Sequence, residues 1–198
     1  MTPDDGPAIR GLLAEVYRPP RHGPDAIWPE QSLQLHLSIF PQGQFVAIDQ
    51  DGRLVGTSTS MRVALYEALS PHTWHDITGR GTISTHDPQG DALYGINIAV
   101  VPGCQGHGIG SALYSARFGL ARALGCRAFV AGARIPGYAA NADRMPPEEY
   151  LEKVVAGELF DPTLSKQLKL GFSVCGLLKD YSADKETLDY AALICKEM

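Results

Sequence analysis

Residues 94–124, YGINIAVVPGCQGHGIGSALYSARFGLARAL, constrain the fold of this chain more than any other stretch. Ile96, Ile98, Val100 and Val101 form an uncharged, β-branched run, the pattern of a strand covered on both faces. Pro102 and Gly103 end it, because proline removes a ladder donor and glycine frees the backbone. Gln105-Gly106-His107-Gly108-Ile109-Gly110 follows, with glycine at every second position. Leu113, Ala116, Leu120 and Leu124 then recur at helical spacing. A strand, a glycine-rich elbow and a helix start gather free N–H groups at one point, where the helix dipole also favours negative charge. That chemistry suits a phosphate, above all a pyrophosphate.

Spacing narrows the ligand. A Walker loop requires a Gly-Lys-Ser/Thr ending, and no lysine lies near this turn. A dinucleotide fingerprint counted from Gly106 puts Ser111 where its third glycine belongs. The region about twenty residues on, around Gly125-Cys126-Arg127-Ala128, also lacks the acidic ribose ligand of that motif. What remains is Gln-x-x-Gly-x-Gly at 105–110, preceded by Val-x-Pro at 100–102. This combination, between an upstream strand and a downstream helix, resembles the acyl-CoA signature of the GNAT N-acetyltransferase superfamily.

Composition sets the surroundings. At 198 residues the chain is expected to form one domain, 1–198. A net charge of −5 argues against broad nucleic-acid binding, which needs a basic footprint. Cys104, Cys126, Cys175 and Cys195 contain no C-x-x-C pair, so they are expected to be reduced, small apolar residues rather than a zinc or redox motif. No metal ion is expected; His72, His75 and His86 lack a ligand set of known spacing. No run approaches the roughly eighteen apolar residues of a membrane span, and the acidic N-terminus lacks a signal-peptide core. The expectation is a cytoplasmic protein without nucleic-acid or membrane partners.

Along the chain, Thr2, Asp4 and Asp5 cap a first helix with Ile9, Leu12, Leu13 and Val16 on one face. Residues 18–29 read as an ordered loop and 29–39 as a second helix. Strands at 44–49 and 54–65 flank the turn Asp49-Gln50-Asp51-Gly52. Residues 66–91 read as a long loop that lines a substrate pocket or packs over it. Beyond the central motif come a strand at 127–133 and an inserted segment at 134–160 holding a helix. A helix capped by Asp161 follows, then a closing strand pair at 172–178 and 188–195. The pattern predicts an α/β fold with a central sheet flanked by helices.

The resemblance adds chemistry. It implies the GNAT fold, a mixed and mostly antiparallel sheet that splays at the acyl-CoA site. The backbone of Ile98 and Val100 would hold the pantetheine arm; Gln105, Gly106, His107, Gly108, Ile109, Gly110 and Ser111 would hold the pyrophosphate. The reaction implied is transfer of an acetyl group from acetyl-CoA to the amine of a small or amino-acid-like acceptor, with a homodimer left open. The family's frequent base, six residues before the valine of Val-x-Pro, falls on Tyr94, which period-two alternation places with Ile96, Ile98 and Val100. The family's frequent tyrosine acid falls on Gln167, which cannot supply a proton. Tyr138 is the replacement candidate for catalysis, with Tyr150 and Arg134 beside the acceptor; Arg134 would pair with a substrate carboxylate. The Arg134–Tyr138 run, Glu148-Glu149-Tyr150 and Asp161-Pro162 are similar to a GNAT subgroup that includes domains found next to carbon–nitrogen hydrolases. A non-catalytic acyl-CoA-binding module and a protein or peptide acetyltransferase are the alternative readings.

Overall fold

The computed structural model describes residues 1–17 and 26–198. The expected ordered loop at 18–29 therefore lies mostly outside the described residues. Thr2 and Asp5 form a capping box around a 3₁₀ turn, Pro3–Asp5, that feeds α1 (Gly6–Val16). This helix buries Ile9, Leu12 and Leu13, the stripe its spacing predicts. In α2 (Glu30–Ile39), Pro29 is the extended residue before the helix rather than its first residue. The hairpin of β1 (Gln44–Ile48) and β2 (Leu54–Val63) closes through Gly52, whose φ of 79° is left-handed.

Residues 66–91 are not a plain loop. They carry most of α3 (Leu65–Leu69) and all of α4 (Trp74–Thr78). Each has only five residues, too few for helical periodicity to register in sequence. The second is held at its start by a reciprocal Thr73–Asp76 capping box. The chain continues through β3 (Ala92–Val100), α5 (Ile109–Ala123), β4 (Ala128–Arg134), α6 (Pro147–Val155) and α7 (Leu164–Lys169). It closes with β5 (Ser173–Leu178) and β6 (Ala191–Glu197).

The strands form one sheet in the order β1-β2-β3-β4-β6-β5. Only β3 and β4 run parallel, joined by the α5 crossover; every other pair is antiparallel. Between α5 and the sheet, Tyr114, Phe118, Phe129 and Phe172 pack with ring centroids 5.5 to 6.2 Å apart.

Two details of register position the site. Thr59 faces Asn97 and Ser60 faces Gly95, so Ile96 is the extra residue of a β-bulge. The bulge corrects the expected alternation: Tyr94 shares its face with Asn97 and Ala99, while Gly95, Ile98 and Val100 turn toward α5. Second, β3–β4 pairing stops at Gly95–Ala131, although β3 continues to Val100 and β4 to Arg134. Beyond that vertex the two strands part.

The cysteine expectation needs correction. Cys175 and Cys195 form a disulfide between β5 and β6. Their separation of 20 residues carries no motif, but the hairpin register brings the Cα atoms to 6.3 Å. Cys126 is buried and Cys104 half-buried, both as free thiols.

Two histidines make folding pH-dependent. His36 is fully buried, with Nε2 donating to the Gly81 carbonyl at 2.7 Å and Nδ1 lacking a partner among the described residues. His86 stacks on Phe40 at 4.4 Å and accepts the Arg62 N–H at Nδ1. Burial lowers both pKa values below the ordinary 6.5, since a charged ring would be desolvated. The unfolded chain thus takes up these protons first as pH falls. Stability is complete above about pH 6.5 and declines below it, toward the folded-state pKa values. Urea midpoints should drop between about pH 6.5 and 5, less steeply in His36→Gln. A flat midpoint across that window would contradict the assignment.

Candidate functional site

The elbow between β3 and α5 is exposed and built from backbone. Gly106 and Gly108 have φ of 82° and 83°, so both need glycine for conformation. A Cβ at 106, 108 or 110 would meet no protein atom within 4 Å. Crowding inside the chain is therefore not why glycine stands there. Gly108 starts α5 without a side-chain cap, and the first intrahelical bond shown is Ala112 N to Gly108 O at 2.9 Å. The N–H groups of Ile109, Gly110 and Ser111 are left for an anion, on a helix of 15 residues. His107 is exposed, and the Gln105 side chain turns back to donate to the Val100 carbonyl at 3.0 Å.

The parted strands offer a free edge. Val101 N–H donates to the Val55 carbonyl, so in this register Val101, Ala99 and Asn97 point their backbone groups at β2. Those of Ile98 and Val100 point the other way, into the gap. Their carbonyls receive side-chain donors instead of a strand: Tyr17 Oη at 3.4 Å and Gln105 Nε2 at 3.0 Å. An extended ligand can add to such an edge as a strand would.

On the face opposite α5, the gap opens into a cavity of about 120 Å³. Tyr17 and Trp28 wall one side, Trp74 and His75 of α4 another, and Asn97, Gly132 and the 181–184 turn form the floor. Asn97 Nδ2 donates to Tyr17 Oη at 3.4 Å, and its Oδ1 is buried without a partner among the described residues.

A chain of hydroxyls leads from this cavity into the protein. Tyr181 lines the cavity; its hydroxyl lies 3.0 Å from that of Tyr94, which lies 2.8 Å from His72 Nε2. His72 Nδ1 is 2.7 Å from the Ser70 carbonyl and must donate there, because a carbonyl only accepts. Neutral His72 therefore accepts at Nε2 from Tyr94, and Tyr94 accepts from Tyr181. Every proton in the chain points toward His72. Burial lowers the His72 pKa, keeping the imidazole neutral and basic at Nε2. Burial raises Tyr94 well above its ordinary value and Tyr181 to about 12, so both phenols hold their protons.

The other expected side chains are placed as follows. Tyr94 is fully buried and reaches the cavity only through Tyr181. Tyr138 lies away from the cavity lining, 5.5 Å from the Tyr150 ring and 5.6 Å from that of Tyr190. The Tyr150 hydroxyl donates to Asp161 Oδ2 at 2.9 Å. That carboxylate is fully buried and also accepts N–H groups from Gly137, Thr163 and Leu164, which ties the 134–160 segment to α7. Arg134 does line the cavity, but its Nε lies 2.5 Å from Asp184 and its Nη2 lies 2.9 Å from Glu186. Burial alone would lower its pKa; the two carboxylates outweigh this and raise it. The guanidinium faces these carboxylates rather than one on an acceptor. Gln167 is buried and donates to Tyr114 Oη at 2.8 Å.

Sequence reasoning missed His72, Asn97, Tyr181 and Arg117. The first three converge from separate elements, and no local spacing marks them. Arg117 carried one signal: a cation on the apolar stripe of α5, between Tyr114 and Phe118.

Comparison with known proteins agrees with this geometry. The chain is 38% identical over 168 residues to the probable hydrolase YhcX of Bacillus subtilis (strain 168), covering 84% of this chain and 33% of that protein. It thus spans about a third of YhcX. It is 34% identical to the uncharacterized N-acetyltransferase YkwB of the same organism, covering 92% of this chain and 80% of that one. The GphF GNAT-like decarboxylase, solved with isobutyryl-CoA, superposes with a TM-score of 0.80 at 22% identity, covering 100% and 96% of the two chains. Residues 9–142 match the acetyltransferase (GNAT) family. The elbow, the parted strands and these matches agree, and the chain belongs to the GNAT acetyltransferase family.

Proposed function

We propose that this protein is an N-acyltransferase that moves an acyl group, acetyl first among them, from acyl-CoA to the amine of a small acceptor. One observation carries the reading. An uncapped helix start and a free strand edge lead directly to a cavity served by a proton-accepting chain. Acyl-CoA fits the first two: the N–H groups at 109–111 suit its pyrophosphate, and the edge of Ile98 and Val100 suits its pantetheine amides. The name of YkwB and the isobutyryl-CoA of the GphF structure support the choice.

The acyl-CoA supplies an activated thioester. The protein's residues hold and deprotonate the acceptor. Asn97 Oδ1 accepts from the amine, and the amine nitrogen attacks the thioester carbonyl from the cavity side. As the C–N bond forms and the C–S bond breaks, the amine proton passes to Tyr181. Tyr181 hands its own to Tyr94, which gives up its proton to His72 Nε2. His72 is half-buried and can release it to solvent.

The non-catalytic module is the second reading. Gln167 favours it, since this residue stands where the family often has an acid and its amide is spent on Tyr114. The oriented hydroxyl chain weighs against it. The small, walled cavity favours a small acceptor over a peptide.

Calorimetry with acetyl-CoA, then thiol release across an amine panel, tests the proposal. Acetyl-CoA should bind, and Gly108→Val should weaken it by about tenfold or more, through a strained φ and a blocked anion approach. Tight binding without turnover on any amine would leave the module reading. No binding would sink both.

A further inference from the structure

Arg117 is 1% exposed, the largest of the fully buried side chains among the described residues. It sits on the buried stripe of α5, where Leu113, Tyr114, Phe118 and Ala121 are its companions. Its guanidinium carbon lies 4.3 Å from the Tyr114 ring centroid and 5.0 Å from that of Phe129. Nη1 donates to the Asn97 carbonyl at 3.4 Å; Nε and Nη2 are buried with no hydrogen-bond partner among the described residues. No carboxylate among the described residues pairs with it. A Cβ built on Gly95 would lie 3.0 Å from Nη1, and Gly95 is the last residue of β3 paired to β4. The cation therefore stands at the vertex of the gap, on the α5 side.

Burying an unpaired charge is strongly unfavourable, and an apolar side chain of similar size would be the more stable choice here. Ring faces recover part of that loss. A negative charge arriving in the gap would recover more. Acyl transfer produces one there. As the amine nitrogen bonds to the thioester carbon, charge builds on the carbonyl oxygen. As the C–S bond breaks, its electron pair leaves on sulfur, and the amine proton departs through Tyr181. The remaining charged groups nearby do not compete. Burial keeps Tyr17, Tyr94 and Tyr181 protonated on the opposite face, and Arg134 at the cavity wall is engaged by Asp184 and Glu186.

We infer that Arg117 is the built-in electrostatic partner of the negative charge that develops on an acyl thioester held between β3 and β4. The inference rests on the acyl-CoA reading above. A fixed cation in a water-poor site acts more strongly than one in solvent and needs no reorganisation during the reaction.

The test is the titration of the CoA thiol in its complex with the full chain, read from thiolate ultraviolet absorbance. In the wild type the bound thiol should titrate about one pH unit or more below the value of free CoA measured in the same buffer. Arg117→Met should return it to that value, lower kcat by about tenfold or more, and melt no lower than the wild type. Arg117→Lys, which keeps a positive charge, should keep the lowered titration. If CoA binds both proteins and its thiol titrates alike in the wild type and Arg117→Met, the inference falls alone. If CoA does not bind the wild type, the acyl-CoA reading falls and this inference with it.

Discussion

Tyr181→Phe is expected to lower kcat for acyl transfer by about 10²-fold or more while leaving the affinity for acetyl-CoA unchanged. The substitution removes one oxygen from the wall of the cavity. That oxygen is the entry to the chain running through Tyr94 to His72 Nε2 at 3.0 and 2.8 Å. The phenylalanine ring still packs over Gly132, so the cavity keeps its shape. His72→Gln should cause a loss of similar size at the far end, and the double variant should be no worse than the worse single one. Such non-additivity is the signature of groups acting as one unit. The pH profile fixes the sign. His72 must be neutral to accept a proton, and burial lowers its pKa. Activity should therefore hold down through about pH 6.5 and fail only below it, as the imidazole charges. His72→Gln should lack that acid limb. Additive losses, or an unchanged acid limb in His72→Gln, would refute the relay.

Gly132→Ala should be nearly as damaging to turnover, although it adds one methyl group. A Cβ at this position would lie 2.2 Å from Tyr181 Cζ and 2.5 Å from its hydroxyl oxygen. The ring has to move, and with it the oxygen that faces the cavity. Overpacking of this kind costs about 1–3 kcal/mol of stability, and kcat should fall by at least about tenfold because the relay is misplaced. Unfolding curves paired with single-turnover rates separate the two effects. A variant that turns over like the wild type would show that Tyr181 need not sit where it does.

The disagreements between sequence and structure have a common character. Tyr94 was identifiable as the residue standing in the family's base position, yet its face was misassigned because the bulge at Ile96 reverses the alternation beyond it. Residues 66–91 were marked by length and composition as a loop that lines or covers a pocket. Their actual contribution, His72 on Tyr94 and Trp74 with His75 on the cavity, required two helices too short to read. Arg134 lines the cavity, and its partners Asp184 and Glu186 come from a turn some fifty residues away. The disulfide was invisible for the same reason: Cys175 and Cys195 meet through strand register alone.

Local spacing was sufficient for the glycine-rich elbow, the strand before it and the helix after it. Their geometry depends on neighbours in the chain: glycines at 106 and 108, proline at 102, apolar residues one helical turn apart. From these alone the sequence determined the acyl-CoA signature and the family resemblance. What the tertiary structure decided is everything that needs two distant segments to touch. That includes the point where β3 leaves β4, the hydroxyl chain from Tyr181 to His72, the walls of the cavity, and the cation of Arg117 beneath the vertex. Those features depend on strand register and on packing between elements far apart in the chain, and no window of sequence contains both halves of the contact.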